Sequence, residues 1–212
     1  MLYQWGRKDC FPGADGSTIQ EANGLNPNAE SITIYDSNNQ FLSDGSSGIT
    51  YIKITQPGVL SDNISQIYTI KNPMSYLCNL TRPFDWYTDN ESFLNNALWG
   101  DGTDKRVFDP CPKGWEIPIK GTWYDLKNSA LYSSAAYYSN GLLYNTMSWY
   151  PACGMRLYDT GKLGRVGQYG YYWSSTVDNT IFIYGLGFSQ AGVGLNLAHY
   201  RAYGFPVRCV QE

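Results

Sequence analysis

Few residues in this chain could carry reaction chemistry, and they are scattered. His199 is the only histidine. A general base or a metal centre needs partners within reach, either a nucleophilic hydroxyl or thiol or further imidazole and thiolate ligands. His199 stands between Ala198 and Tyr200-Arg201. The sequence identifies no triad partner for it, so it reads as a surface contact. The cysteines Cys10, Cys78, Cys111, Cys153 and Cys209 form no Cys-x-x-Cys pair, which argues against a zinc centre. Their odd number leaves at least one free thiol, and spacing alone leaves the pairing open. Cys153, in Ala-Cys-Gly-Met-Arg, has no Lys or His cluster beside it to lower its thiol, and reads as a buried small side chain. Asp101 and Asp104, in Gly-Asp-Gly-Thr-Asp, could ligate calcium, but a turn that holds its own backbone is the simpler reading. No cofactor and no catalytic residue is expected.

Composition points the same way. Of 212 residues, 43% are hydrophobic and only 16% are charged. Uncharged groups must therefore cover the surface, and 19 Tyr and 22 Gly supply many of them. Tyr offers rigid amphipathic contact area, and Gly permits irregular loops. Tyr in a β-rich core is the plainer alternative. The net charge is −3, with no basic run to track a phosphate backbone, so nucleic acid is not an expected partner. No apolar stretch approaches the about 20 residues that span a bilayer, and no signal peptide follows Met1.

The elements that must position these residues are mostly short strands. One amphipathic helix of about three turns is expected from Pro118 through Trp123, Leu126 and Leu131, with a second, shorter one over Glu91 to Leu98 capped by Asp89 or Asn90. Ile32–Tyr35, Ile49–Thr55 and Ile67–Ile70 alternate as strands do. Turns are expected at Asp15-Gly16, Asp44-Gly45 and Pro57-Gly58, and the polar region 10–48 is expected to be irregular. Trp115 and Trp173 read as core, and Arg156 and Arg208 as structural partners of carboxylates or carbonyls. Three Asn-x-Ser/Thr triplets, at Asn63, Asn79 and Asn90, read as incidental.

The C-terminal third is the most regular. Phe182, Tyr184, Leu186 and Phe188 share one strand face, and Ile181, Ile183, Gly185 and Gly187 the other. Val193, Leu195 and Leu197 alternate with Gly194, Asn196 and Ala198, and Phe205, Val207 and Cys209 alternate with Pro206 and Arg208. Three strands in one antiparallel sheet are expected. Only one parity is uniformly large and apolar, so Tyr184, Leu186, Phe188, Leu195 and Leu197 should face the core. Gly185, Gly187, Ser189, Gly194, Asn196 and Ala198 should then face outward.

Four stretches together resemble the Fibrobacter succinogenes major paralogous (FISUMP) domain family of secreted and surface proteins in Bacteroidetes. They are Tyr-Gln-Trp-Gly-Arg-Lys-Asp at 3–9, the Trp-Gly-Asp-Gly to Trp-Glu-Ile-Pro run at 99–118, Gly-Tyr-Tyr-Trp-Ser-Ser at 170–175 and Gly-Phe-Pro-Val-Arg-Cys-Val at 204–210. Residues 10–98 match only loosely. The family pattern usually has further sequence before its Tyr-Gln-Trp-Gly stretch, so residues 1–212 are read as a single domain with room for a longer protein around it. The Trp-Ser-Ser and Val-Arg-Cys-Val ends also resemble the variable proteins of diversity-generating retroelements. There, template adenines turn AAC or AAT codons into any NNC or NNT codon, which cannot encode Lys, Glu, Gln, Met or Trp. Between Ser174 and Val207 this chain has no Lys, Glu, Met or Trp and one Gln, Gln190. Its own frequencies would place those four types there about four times. A Gly-rich uncharged sheet that happens to lack them is the plainer alternative.

The resemblance implies an α+β, C-type-lectin-like fold with short antiparallel strands, one or two helices and much irregular loop. It implies a disulfide between Cys111 and Cys209, like the long-range bond that ties helix to terminal strand in lectin-like folds. It implies a non-catalytic, adhesin-like binding domain on the cell surface or a phage tail, with a protein or glycan on a cell or phage-host surface as ligand. The variable ligand-binding segment would be 171–203. His199, Tyr200, Ala202 and Tyr203 would join the outward set there, with Tyr171, Asp178, Thr180 and Phe182 nearby. The lectin calcium signatures, Glu-Pro-Asn or Gln-Pro-Asp with Trp-Asn-Asp, are absent. Two alternatives stand beside this reading: a lectin-fold enzyme of the formylglycine-generating type, which needs a reactive cysteine pair, and a structural surface domain without ligand.

Overall fold

The computed structural model describes residues 1–13, 49–100, 104–127, 137–138, 141–144, 148–178, 181–189 and 191–212. In chain order these form β1 (Leu2–Gln4), β2 (Cys10–Phe11), β3 (Thr50–Lys53), α1 (Gln66–Lys71), β4 (Ser75–Cys78) and β5 (Trp115–Glu116). Then come β6 (Tyr137–Tyr138), β7 (Gly141–Tyr144), β8 (Ser148–Pro151), β9 (Met155–Arg156), β10 (Leu163–Gly164) and β11 (Gly170–Val177). The last are β12 (Phe182–Ser189), β13 (Gly192–Tyr200), β14 (Gly204–Phe205) and β15 (Val210–Gln211). Among the described residues two 3₁₀ segments, Glu91–Phe93 and Lys120–Lys127, add to the helical content. The chain is mostly β with few helices and long irregular connections, compatible with an α+β class.

Two sheets matter for the site. The first has strand order β10-β9-β14-β1-β2, which brings the two ends of the chain side by side, with Tyr3 opposite Phe205. The second is the antiparallel sheet β11-β12-β13.

The segment Tyr3–Arg7 fastens the molecule. Gln4 Nε2 donates to the carbonyls of Leu77 at 2.8 Å and Ala202 at 3.0 Å. The Trp5 indole donates to Ser174 O at 3.0 Å, and the Trp173 indole to Tyr3 O at 2.8 Å. Trp99 donates to Arg7 O and Trp86 to Trp5 O. Four large rings are buried here with every indole N–H paired, as a low-dielectric interior requires. The surrounding core also takes in Leu77, Ile117, Ile183 and Phe205. A second cluster packs Trp123 and Leu126 of the 3₁₀ helix, with Leu142 and Tyr150, against Tyr172, Leu186 and Phe188.

Several expectations change. The helix after Pro118 is a 3₁₀ segment within the described residues rather than three α-turns. Ile67–Ile70 is helical, not a strand: Thr69 is its buried residue, while Ile67 and Ile70 point to solvent. A four-residue window of mixed apolar residues fits either period. The expected strand over 205–209 splits. Gly204–Phe205 joins the first sheet through β1, and Val210–Gln211 pairs with β5, so neither extends β13. Trp115 lies on the short β5 pair and is 44% exposed rather than core. Glu91–Phe93 forms with Asn90 as its cap, the side chain accepting from Ser92 N. Pro57-Gly58 forms the turn after β3, with Gly58 at φ 84°. Ile32–Tyr35, Asp15-Gly16, Asp44-Gly45 and nearly all of 10–48 lie outside the described residues, as does Asp101.

Candidate binding surface on the C-terminal hairpin

Strands β11 and β12 are buried on both faces, contrary to the one-sided burial the alternation suggests, because a core cluster covers each: Tyr171, Trp173 and Ile183 join the first, and Tyr172, Leu186 and Phe188 the second. The register has two irregularities. Between Trp173 and Val177 β11 carries two extra residues relative to β12, and β13 carries one between its pairings with Gly185 and Gly187. Two extra residues leave the phase of β11 unchanged, whereas the single extra residue in β13 puts Leu195 and Leu197 on opposite faces, so one parity does not hold along β13. Tyr171 and Trp173 lie on the face of Gly187 and Gly185 and bury those glycines. A Cβ on Gly185 would stand 2.8 Å from Tyr172 O, and one on Gly187 2.5 Å from Leu197 Cδ1. Neither is a display position; each is a glycine because its neighbour approaches closely. Gly185→Ala should lower unfolding free energy by about 1–3 kcal/mol, because a backbone oxygen cannot give way as a side chain can. A chemical denaturation series checks this.

The other candidates divide. Leu186 and Phe188 are buried as expected, Tyr184 is half-buried, and Leu197 is turned outward at 39% exposure. Tyr171 and Ala202 are buried, against the expectation that they join the surface: Tyr171 stacks on Phe205, and Ala202 lies where the N-terminal Gln4 docks. Asp178, Asn196 and Ala198 are exposed. Phe182, Ser189, Gly194, Tyr200 and Tyr203 are half-buried, and Thr180 lies outside the described residues.

His199 is half-buried, with its ring turned inward rather than displayed. Its ring packs edge-on against Tyr171 at 5.5 Å and Phe205 at 4.8 Å, and its Nε2 is buried without a hydrogen-bond partner. Burial lowers its pKa from the ordinary 6.5 to about 4. The unfolded chain therefore takes up a proton in this window that the folded chain refuses, and stability falls as pH drops from about 6.5 to about 4, by about 3 kcal/mol. Asp85 acts in the opposite sense. Burial raises its carboxyl from 3.8 to about 6, outweighing Arg201 at 3.9 Å, so its share of stability falls as pH rises from about 4 to about 6. The two offset each other in the wild type. In His199→Gln the offset is gone: the stability gap to wild type should close by about 3 kcal/mol between pH 7 and pH 4. Urea titrations at both pH values measure it.

What the hairpin does present is a band of rings. Phe182 stacks on Tyr200 at 5.2 Å, and Phe84, from the turn after Thr81, lies 4.1 Å from Tyr200. Tyr158 meets Tyr200 at 5.1 Å and Tyr203 at 4.9 Å. Further along the same strand face Tyr184 bonds the Asp178 carboxylate, which raises its phenol, and Lys120 Nζ stands 4.5 Å over its ring. Asn196 Nδ2 reaches Tyr124 OH at 3.5 Å. Asp178, Phe182, Asn196, Ala198 and Tyr200 thus come together with residues the sequence reading did not select: Phe84, Tyr124, Tyr158 and Tyr184. Phe84, Tyr124 and Tyr158 come from other segments, and nothing local to them marks them as partners of this hairpin, while Tyr184 lies on β12 itself and is half-buried where the alternation expects core.

Of the remaining groups, Cys111 and Cys209 are joined in a disulfide across 98 positions. Cys153 is half-buried, and burial pushes its thiol up, the opposite of what a nucleophile needs. Among the described residues no three His, Cys, Asp or Glu side chains gather as a metal set. No helix among them is long and apolar enough to cross a membrane. Arg156 donates to Pro12 O and Gly161 O, and Arg208 to Trp149 O, so both serve carbonyls.

A family model described as a domain of unknown function, DUF8237, matches residues 132–210, so the chain is similar to that family from β6 through β14 and on to Val210. No curated protein and no solved structure matches the chain.

Proposed function

We propose that this chain is a non-catalytic binding domain with a C-type-lectin-like scaffold, displayed outside the cell or on a phage tail, whose β12–β13 hairpin contacts the ligand. The observation that carries the reading is the ring band. Phe182 and Tyr200 stack on each other at 5.2 Å while remaining half-exposed, beside exposed Asp178, Asn196 and Ala198. Rigid aromatic anchors next to small and polar groups are the composition of recognition surfaces. The paired terminal segments and the Cys111–Cys209 bond support the scaffold.

The domain is further proposed to be a variable protein of a diversity-generating retroelement, with a protein or glycan of a cell or phage-host surface as its ligand. Asp, Phe, Asn, Ala and Tyr are all encodable by NNC or NNT codons. The lectin-fold enzyme reading draws no support from Cys153, whose thiol is raised. Sequencing the gene and its flanks across sister isolates tests the proposal. Changes should concentrate at 178, 182, 196, 198, 200 and 203 in NNC or NNT codons, beside a reverse transcriptase gene and a near-copy of the 3′ segment. Changes spread evenly along the chain would remove the retroelement reading.

A further inference from the structure

The two outer strands of the β11-β12-β13 sheet differ in how their free edges are covered. The edge of β11 is closed by backbone bonds: Trp173 N donates to Pro206 O at 3.1 Å, and Ser175 N to Pro118 O at 2.9 Å. The edge of β13 is open. Among the described residues, Tyr200 O accepts from Tyr203 N at 3.2 Å, and no other backbone bond leaves β13 except toward β12. Asn196, Leu197 and Ala198, in the middle of the strand, are exposed. Tyr124 OH meets Asn196 at its side chain, not at the backbone.

A strand paired on one side only turns the N–H and C=O groups of alternate residues away from the sheet. Such a row recruits another strand, and folds ordinarily protect it with Lys, Pro, shortness, a bulge or a covering segment. The outer strands of the first sheet, β2 and β10, are short, at two residues each, whereas β13 has nine. From Ile181 to Tyr200 the sequence contains no Lys, Arg, Asp, Glu or Pro. One bulge lies between Gly194 and Leu197, and beyond it Leu197–Tyr200 runs in regular register against Phe182–Gly185.

The alternating donors and acceptors call for a β-strand as occupant, and the absence of charge calls for an uncharged one. A second copy of β13 meets both conditions. Two identical edges related by a two-fold axis pair antiparallel, and such an interface closes at two copies. The outer strands of the joined sheet would both be β11, whose edge is already bonded to Pro206 and Pro118.

We propose that the β13 edge pairs antiparallel with the β13 edge of a second copy of this chain, about a two-fold axis near Ala198, joining two three-stranded sheets into one of six. Ala198 suits the axis because it is exposed, small and within the regular stretch. The pairing also covers Leu197, an apolar side chain otherwise left to water. Phe182, Ala198 and Tyr200 share one face of the sheet, so the dimer would carry the candidate binding surface twice on the same side. That consequence rests on the binding-surface reading above; the pairing itself does not.

Sedimentation velocity of the intact protein tests it, over a concentration series from about 1 to about 500 µM, since a small interface of this kind belongs to the weak class. The protein should pass from monomer to dimer within that range. Ala198→Lys and Ala198→Glu each set like charges across the axis and should each weaken the dimer about fivefold, while an equimolar mixture of the two should restore it. Hydrogen exchange on the unsubstituted protein needs no variant: amides within 196–200 should gain protection as concentration rises. A monomer throughout the range overturns the proposal. So does a dimer that neither charge weakens, a mixture that restores nothing, or protection gained elsewhere and not at 196–200. A dimer that survives denaturation on a non-reducing gel is cross-linked through a free thiol and also overturns it. None of these results bears on the codon pattern, which tests the display reading separately.

Discussion

Replacing Cys111 and Cys209 together with serine should lower unfolding free energy by about 4–5 kcal/mol, since the bond closes a loop of 98 positions. The bond cross-links two parts of the chain that share little else. Beyond it, the terminal segment pairs through Val210↔Glu116 and Gln211↔Trp115, and Glu212 N donates to Gly114 O at 3.1 Å. The strand β15 is two residues long, and a pair of that size is not stable alone. The serine variant should therefore lose protection of the 207–212 amides to hydrogen exchange before the rest unfolds. Cys111 is buried and its thiolless replacement also leaves a polar hydroxyl in an apolar setting, which adds to the loss. Guanidinium denaturation of the oxidised and serine proteins gives the difference. A loss below about 1 kcal/mol would show that the terminal segment is held mainly by packing.

Trp173→Ala should cost about 3–5 kcal/mol, with Tyr200→Ala near about 1 kcal/mol. Trp173 is fully buried, packs on Phe205 at 4.3 Å, and its indole N–H closes the β1 segment through Tyr3 O. Its removal leaves a cavity and deletes the indole hydrogen bond in one step. Tyr200 sits on the same sheet but at its half-exposed end, where water replaces most of what is lost. The contrast separates the ring that builds the sheet from the ring that the sheet presents. Thermal unfolding of both variants measures it, and similar losses would mean that Tyr200 belongs to the core.

How far the sequence could be read follows from range of interaction. The strand signals of the last third are local, and β12 and β13 form where alternation places them. The burial of Leu186 and Phe188 is local in the same way. What alternation does not carry is a second layer or a bulge: a core cluster covers each face of β12, and the one-residue bulge in β13 turns Leu197 away from Leu195. Gly185 and Gly187 read as open surface because a glycine has no side chain to reveal that Tyr171 and Trp173 cover it. Ala202 and the inward ring of His199 are hidden from alternation for a related reason: Ala202 meets the distant N-terminal Gln4, and His199 meets Phe205 after the chain turns into another sheet. The ring band depends on the same kind of distant contact, since Phe84 and Tyr158 reach Tyr200 from separate loops. Tyrosine content announced a ring-rich surface without saying which rings.

The central claim is that the hairpin surface is free to vary while the sheet beneath it is not. The direct measurement is a surface-displayed library with positions 178, 182, 196, 198 and 200 randomised by NNC and NNT codons, sorted for resistance to protease. A matched library randomises positions 173, 183, 185, 186 and 188. Most members of the first library should remain protease-resistant and most of the second should not. If the two libraries lose resistance to the same extent, the band is part of the core and the claim is contradicted.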